Sequence, residues 1–135
     1  MEENFKRGSH CLYSLKVHFM FPVYRRKGLL TGKMGLDMLA IVRQVAVEID
    51  VVIEEMNSDE NHIHILASLR QTQSIYEVVH WIKQQSAKHI WDMYSNLLGN
   101  WDVPYRKFWS DGYFAESIGR MDEQAIAFYI QNQGS

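Results

Sequence analysis

Hydrophobic and polar positions along the chain change period several times, and each change marks an element. From Cys11 to Phe21 they alternate in twos: Cys11, Tyr13, Leu15, Val17, Phe19 and Phe21 face one way, Lys16 and His18 the other. That is the period of a half-buried strand, and Pro22 closes it. Between Met34 and Asp50 the residues Met38, Ile41, Val42, Val45 and Ile49 recur at three and four, which predicts a helix. The β-branched run Val51-Val52-Ile53 opens a second strand that ends near Met56. Polar Asn57 to Glu60 predicts a hairpin turn, after which Asn61 to Leu69 alternates again. Ser74, with Glu77 three residues later, reads as the capping box of a helix reaching about Tyr94. Asn96 to Ser110 is a long connection of the kind that often carries function. Tyr113 to Ile118 reads as a fourth strand and Asp122 to Gln133 as a last helix.

The order β-α-β-β-α-β followed by a helix predicts an α+β fold of the ferredoxin-like, split βαβ kind. Four antiparallel strands form its sheet, two helices cover one face, and the other face stays open. A length of 135 residues suits a single domain, 1–135. Hydrophobic residues make up 47% of the chain, enough for a packed core. No apolar stretch reaches the roughly 18 residues that a transmembrane helix needs. Met1-Glu2-Glu3-Asn4-Phe5-Lys6-Arg7-Gly8 lacks the apolar segment of a secretion signal, so a cytoplasmic protein without membrane attachment is expected. The single cysteine, Cys11, is expected to point inward and cannot staple the fold. A formal charge of −2 confines any nucleic-acid contact to local basic patches.

Candidate chemistry begins with His62-Ile63-His64. Ile63, Ile65, Ala67 and Leu69 share one face of their strand, and the two histidines stand on the other, about 7 Å apart along it. Two neighbouring imidazoles make half a metal site, or an ordinary pair of hydrogen-bonding surface residues. Lys16 and His18 point to the same side of the sheet, either as part of a solvated face or as supporting or DNA-contacting groups. Tyr129 and Gln133 lie four apart and share one helical face. Arg25, Arg26 and Lys27 form the densest basic cluster, and Lys83 and Lys88 lie on the second long helix. Arg106 and Lys107 interleave with Trp101, Tyr105, Phe108 and Trp109, a mixture that suits phosphate contact and base stacking. Trp109 is expected in the core rather than as a stacking platform.

Several stretches together resemble a known family. They are His10 through Tyr13 with His18, Tyr24-Arg25-Arg26-Lys27, and Met56 through Leu66 around His62-Ile63-His64. Further on come Ile82-Lys83-Gln84-Gln85-Ser86-Ala87, Phe108 through Phe114, and Tyr129-Ile130-Gln131-Asn132-Gln133. In order and spacing the set resembles the small single-tyrosine insertion-sequence transposases of the His-hydrophobe-His (HUH) superfamily, including those associated with repeated extragenic palindromes. Many members continue for a further helix, whereas this sequence stops two residues after Gln133.

The resemblance implies a ferredoxin-like homodimer acting on single-stranded DNA, with hairpins in the substrate. By position it implies His62, His64 and Gln133 as ligands of a divalent ion, Mg²⁺ or Mn²⁺, and Tyr129 as the nucleophile that joins the DNA 5′ phosphate. The basic residues Lys16, His18, Arg25, Arg26, Lys27, Lys83, Lys88, Arg106 and Lys107 are the expected DNA contacts. Three alternatives stand beside the transposase reading: a host-domesticated palindrome-processing nuclease, a non-catalytic module binding single strands on its open sheet, and a structural metal protein.

Overall fold

A twelve-residue strand organises the sheet in the computed structural model, which describes residues 6–8, 11–118 and 128–132, with backbone only before Leu15. This strand, β2 (Cys11–Pro22), pairs antiparallel with β4 (His62–Arg70), and β4 pairs antiparallel with β3 (Val52–Asp59). On the other edge of β2 lie two short antiparallel strands, β1 (Lys6–Gly8) near its start and β5 (Phe114–Ser117) near its end. The sheet is thus four strands wide, with β1 and β5 sharing one edge position, in the expected ferredoxin-like arrangement. β1 was not anticipated, because three residues are too few to display a period.

The helices α1 (Gly32–Val47) and α2 (Ile75–Met93) cover one face. Met38, Val42 and Val45 of α1 and Val78, Val79 and Ile82 of α2 bury themselves against Val17, Phe19, Phe21, Ile63, Ile65 and Leu69 of the two central strands. The capping box forms as expected. Ser74 Oγ accepts from the Glu77 amide at 3.0 Å, and Glu77 Oε1 accepts from the Ser74 amide at 3.4 Å. Among the described residues, no helix is long and apolar enough to cross a membrane.

Two expectations need correction. The β3–β4 turn is shorter than the polar run from Asn57 to Glu60 suggested. Asn57 and Ser58 still pair, with His64 and Ile63, and the strands close at Asp59 opposite His62. Polar residues tolerate an edge strand, whose outer side is wet, so polarity alone overestimated the turn. The first helix also stops at Val47, earlier than Asp50, where the backbone turns left-handed (φ 59°).

The long connection after α2 is firmly held. It opens with a short helix, α3 (Ser95–Leu98), and Phe108 and Trp109 are core residues, Trp109 as expected. Trp109 donates to Ser86 Oγ at 2.9 Å, and Trp91 donates to the Lys107 carbonyl at 3.1 Å. The inward position expected for Cys11, and most of the last helix, lie outside what is described.

Candidate active site

β4 lies between β2 and β3, so its alternate side chains line the middle of both sheet faces. Ile63, Ile65, Ala67 and Leu69 enter the helix-covered core, and His62 and His64 stand on the opposite face with ring centroids 4.7 Å apart. His64 is only 5% exposed although its face carries neither long helix. What covers it is residues 128–131, which are helical and lie across this face. Ile130 is fully buried, and the Gln131 carbonyl accepts from Asn57 Nδ2 at 3.4 Å. These contacts bring the ring of Tyr129 edge-on to that of His64, at 5.4 Å between centroids and 89° between planes. Tyr129 remains 49% exposed, so its phenol is accessible from solvent.

One ring nitrogen of each of these two histidines has a partner. His62 Nδ1 lies 2.7 Å from Asn61 Oδ1, and His64 Nδ1 lies 3.2 Å from His18 Nε2. His18 and His64 stack at 10° with centroids 5.4 Å apart, and Phe114 meets His18 edge-on from β5. His64 Nε2 is buried and has no hydrogen-bond partner among the described residues. Burial, and then the neighbouring charges of His62 and His18, push the His64 pKa down to about 4. Burial also lowers that of His18, against the opposing pull of Glu116. Near neutral pH His18 and His64 are therefore uncharged imidazoles.

This arrangement fits a divalent cation. A buried nitrogen without a partner costs about 1–3 kcal/mol, and a metal ion accepts its lone pair. Ligand histidines ordinarily have the second ring nitrogen held by another group, as both are here. His18 does not add a third ligand, since its Nε2 is directed at His64. Among the described residues no group of three or more His, Cys, Asp or Glu side chains could hold a metal. A third protein ligand would be of another type or lie elsewhere; Gln133, the one expected, lies outside the described residues.

The remaining expected contacts divide by location. Lys16 is on the histidine face, 3.4 Å from Glu54, whose carboxylate also accepts from Ser68 at 2.7 Å. His18, expected to be available to DNA, is 7% exposed and packed on His64. Arg25 and Arg26 lie in a tight 3-10 turn (Tyr24–Arg26) with left-handed φ of 56° and 52°, and both are exposed, as is Lys27. The Arg25 guanidinium covers the Tyr24 ring at 4.9 Å.

Lys83 is committed to the carbonyls of Ser110, Asp111 and Gly112 at 2.6, 3.0 and 3.0 Å. Arg106 pairs with Asp92 and Lys107 with Asp111, whereas the Lys88 side chain is exposed. These four line a groove between α2 and the following connection, together with Tyr76 and Tyr105. The residue that motif reading missed is Asn61. Its position beside His62 was visible, but its hydrogen bond to the ring was not.

Comparison with known proteins agrees with this fold. The family model described as Transposase IS200 like matches residues 11–133. The transposase for insertion sequence element IS200 of Salmonella typhimurium LT2 is 25% identical over 126 residues, covering 93% of this chain and 80% of that protein. The ISDra2 transposase TnpA of Deinococcus radiodurans is 25% identical over 129 residues, covering 95% and 90% respectively. Among solved structures, a candidate transposase of Deinococcus radiodurans R1 has a similar fold, with a TM-score of 0.73, 20% identity and coverage of 96% and 98%. So has the REP-associated tyrosine transposase bound to a REP hairpin, with a TM-score of 0.64, 16% identity and coverage of 93% and 69%. The chain belongs to the IS200-like, single-tyrosine HUH transposase family.

Proposed function

We propose that this protein cleaves and rejoins single-stranded DNA through a covalent 5′-phosphotyrosine at Tyr129, with a divalent ion, Mg²⁺ or Mn²⁺, held by His62, His64 and Gln133. The observation that carries the reading is the seat of Tyr129 against His64, a histidine whose buried Nε2 lacks a partner among the described residues, in a chain of this family.

A bound Mg²⁺ or Mn²⁺ supplies positive charge to a non-bridging phosphate oxygen, where negative charge grows during displacement. The protein's own groups do the rest. His62 and His64 offer ring nitrogens that keep the ion's full charge, since neutral imidazoles neutralise none of it. Tyr129 Oη attacks phosphorus: the tyrosine O–P bond forms as the bond from phosphorus to the 3′ oxygen breaks. The phenolic proton passes to solvent, and the leaving oxygen takes up a proton as a free 3′ hydroxyl. A 3′ hydroxyl from another strand reverses these steps and releases Tyr129, so joining needs no further energy source. The half-exposed phenol suits a bulky polymeric substrate.

The exposed cations Arg25, Arg26 and Lys27 hold the DNA backbone in this reading, and Lys88 gives a further contact. A hairpin in the substrate is supported by the hairpin-bound relative of the same fold. Two copies of the chain allow both ends of an element to be handled together. The test is a 5′-labelled single strand carrying a hairpin and its flanks, incubated with Mn²⁺. A shortened strand with a free 3′ hydroxyl, and a joined product once a second strand is added, are expected. Tight binding of a cognate strand with neither product would leave only a binding module.

A further inference from the structure

We propose that His18 and Asn61 are positioning residues that fix the tautomers of His64 and His62, so that both histidines present a bare Nε2 to a metal ion. The inference rests on the metal-site reading above and deepens it.

Asn61 settles its side by chemistry. An amide oxygen can only accept, so at 2.7 Å from Asn61 Oδ1 the Nδ1 of His62 must carry the hydrogen. The lone pair of His62 is then on Nε2. The backbone holds Asn61 in place for this, since its carbonyl accepts from the Val23 amide at 2.8 Å. The neighbouring Glu60 carbonyl is fixed in the same way by the Leu30 amide at 2.9 Å.

The second pair has two arrangements, because either nitrogen of the 3.2 Å contact between His18 and His64 can donate. If His18 donates, the hydrogen of His64 lies on Nε2, a buried atom with no acceptor among the described residues. If His64 donates from Nδ1, its Nε2 carries a lone pair, which a cation satisfies. Only the second arrangement makes His64 a ligand, and it requires His18 to accept through Nε2. The structure holds His18 in position to do so. Its ring stacks on His64 at 10°, Phe114 supports it from β5, and it is 7% exposed, so water cannot readily replace it. A side chain serving packing alone would need no nitrogen at that contact.

Two measurements test this without relying on turnover. Nitrogen-15 NMR of the imidazoles in wild-type protein with Mg²⁺ should show His64 protonated at Nδ1 and bare at Nε2. A His64 protonated at Nε2 would overturn the inference, and this experiment needs no variant to fold. Mn²⁺ affinity, measured by calorimetry or by the free-ion electron paramagnetic resonance signal, should fall about 10- to 100-fold in His18→Phe and in Asn61→Ala. His18→Gln, which returns an acceptor oxygen near the Nε2 position, should recover most of the loss. Unchanged affinity in folded His18→Phe contradicts the role of His18, and unchanged affinity in Asn61→Ala contradicts that of Asn61. His62→Ala and His64→Ala separate the two levels of the argument. If they lose Mn²⁺ while His18→Phe and Asn61→Ala keep it, only the positioning inference fails. If they too bind as wild type does, the metal site itself is misassigned.

Discussion

The ring of Tyr129 meets that of His64 edge-on, centroids 5.4 Å apart and planes at 89°. Sixty-five positions separate the two residues in the chain, and Ile130, the neighbour of Tyr129, is fully buried. A sheet face that would otherwise be wet thereby acquires a dry edge. His64 is shielded from water while Tyr129 stays half exposed, so a buried imidazole and a solvent-facing tyrosine stand side by side.

Removing either histidine should stop cleavage and spare DNA binding. His62→Ala and His64→Ala are expected to lose about 100-fold or more in cleavage rate at low Mn²⁺. Binding of the same strand in chelator should change little, since the exposed cations lie elsewhere. Stability should fall modestly, by about 1 kcal/mol, because truncating His64 also removes a buried nitrogen that has no partner among the described residues. A near-wild-type rate in either variant would remove that residue from the site.

Acid should destabilise the metal-free protein through its buried histidines. The folded His64 pKa of about 4 lies below the ordinary 6.5, and that of His18 is shifted the same way. Between those values the unfolded chain binds more protons, so the stabilisation is present above pH 6.5 and lost as pH falls toward 4. In chelator, urea unfolding should lose on the order of 1–2 kcal/mol between pH 7 and 5. His64→Phe should flatten that slope, and an equal slope in the variant would contradict the assignment.

Lys83 should act on stability more than on DNA. Its ammonium gathers three carbonyls at the end of the connection before β5, and no neutral side chain of similar shape can replace those donations. Lys83→Met is expected to cost about 1–3 kcal/mol in thermal or urea unfolding. Salt-dependent binding of a single strand should keep its slope, whereas a slope lowered by about one would return Lys83 to the phosphate-contacting set.

The elements with a clean period were legible in the sequence: the alternation of Cys11 to Phe21 and Asn61 to Leu69, and the Ser74–Glu77 box, all have their counterparts in the fold. The turn after β3 was misjudged because Asn57 and Ser58 are polar on an edge strand, where pairing and polarity coexist. At the site, strand parity put His18, His62 and His64 on one face. Parity cannot say that His18 would stack on His64 rather than meet solvent, since that depends on the rings each strand carries and on what covers them. The seat of Tyr129 depends on a contact remote in sequence, for which only the family resemblance gave a signal. Lys83 looked like a surface cation because no local pattern announces three carbonyls presented by a distant loop.

Within one chain the tyrosine reaches its own histidine. In a dimer with this arrangement, mixing His64→Ala with Tyr129→Phe should leave cleavage absent, since every site lacks one group. Recovery of activity after confirmed subunit exchange would show instead that the tyrosine helix crosses to the partner.

The most direct measurement is the identity of the covalent link. A labelled hairpin strand incubated with the protein and Mn²⁺, then denatured, should yield a protein–DNA adduct. Digestion and mass spectrometry should place its phosphate on the peptide containing Tyr129. The account predicts that this adduct disappears in Tyr129→Phe while strand binding persists. An adduct of undiminished yield in Tyr129→Phe would contradict it.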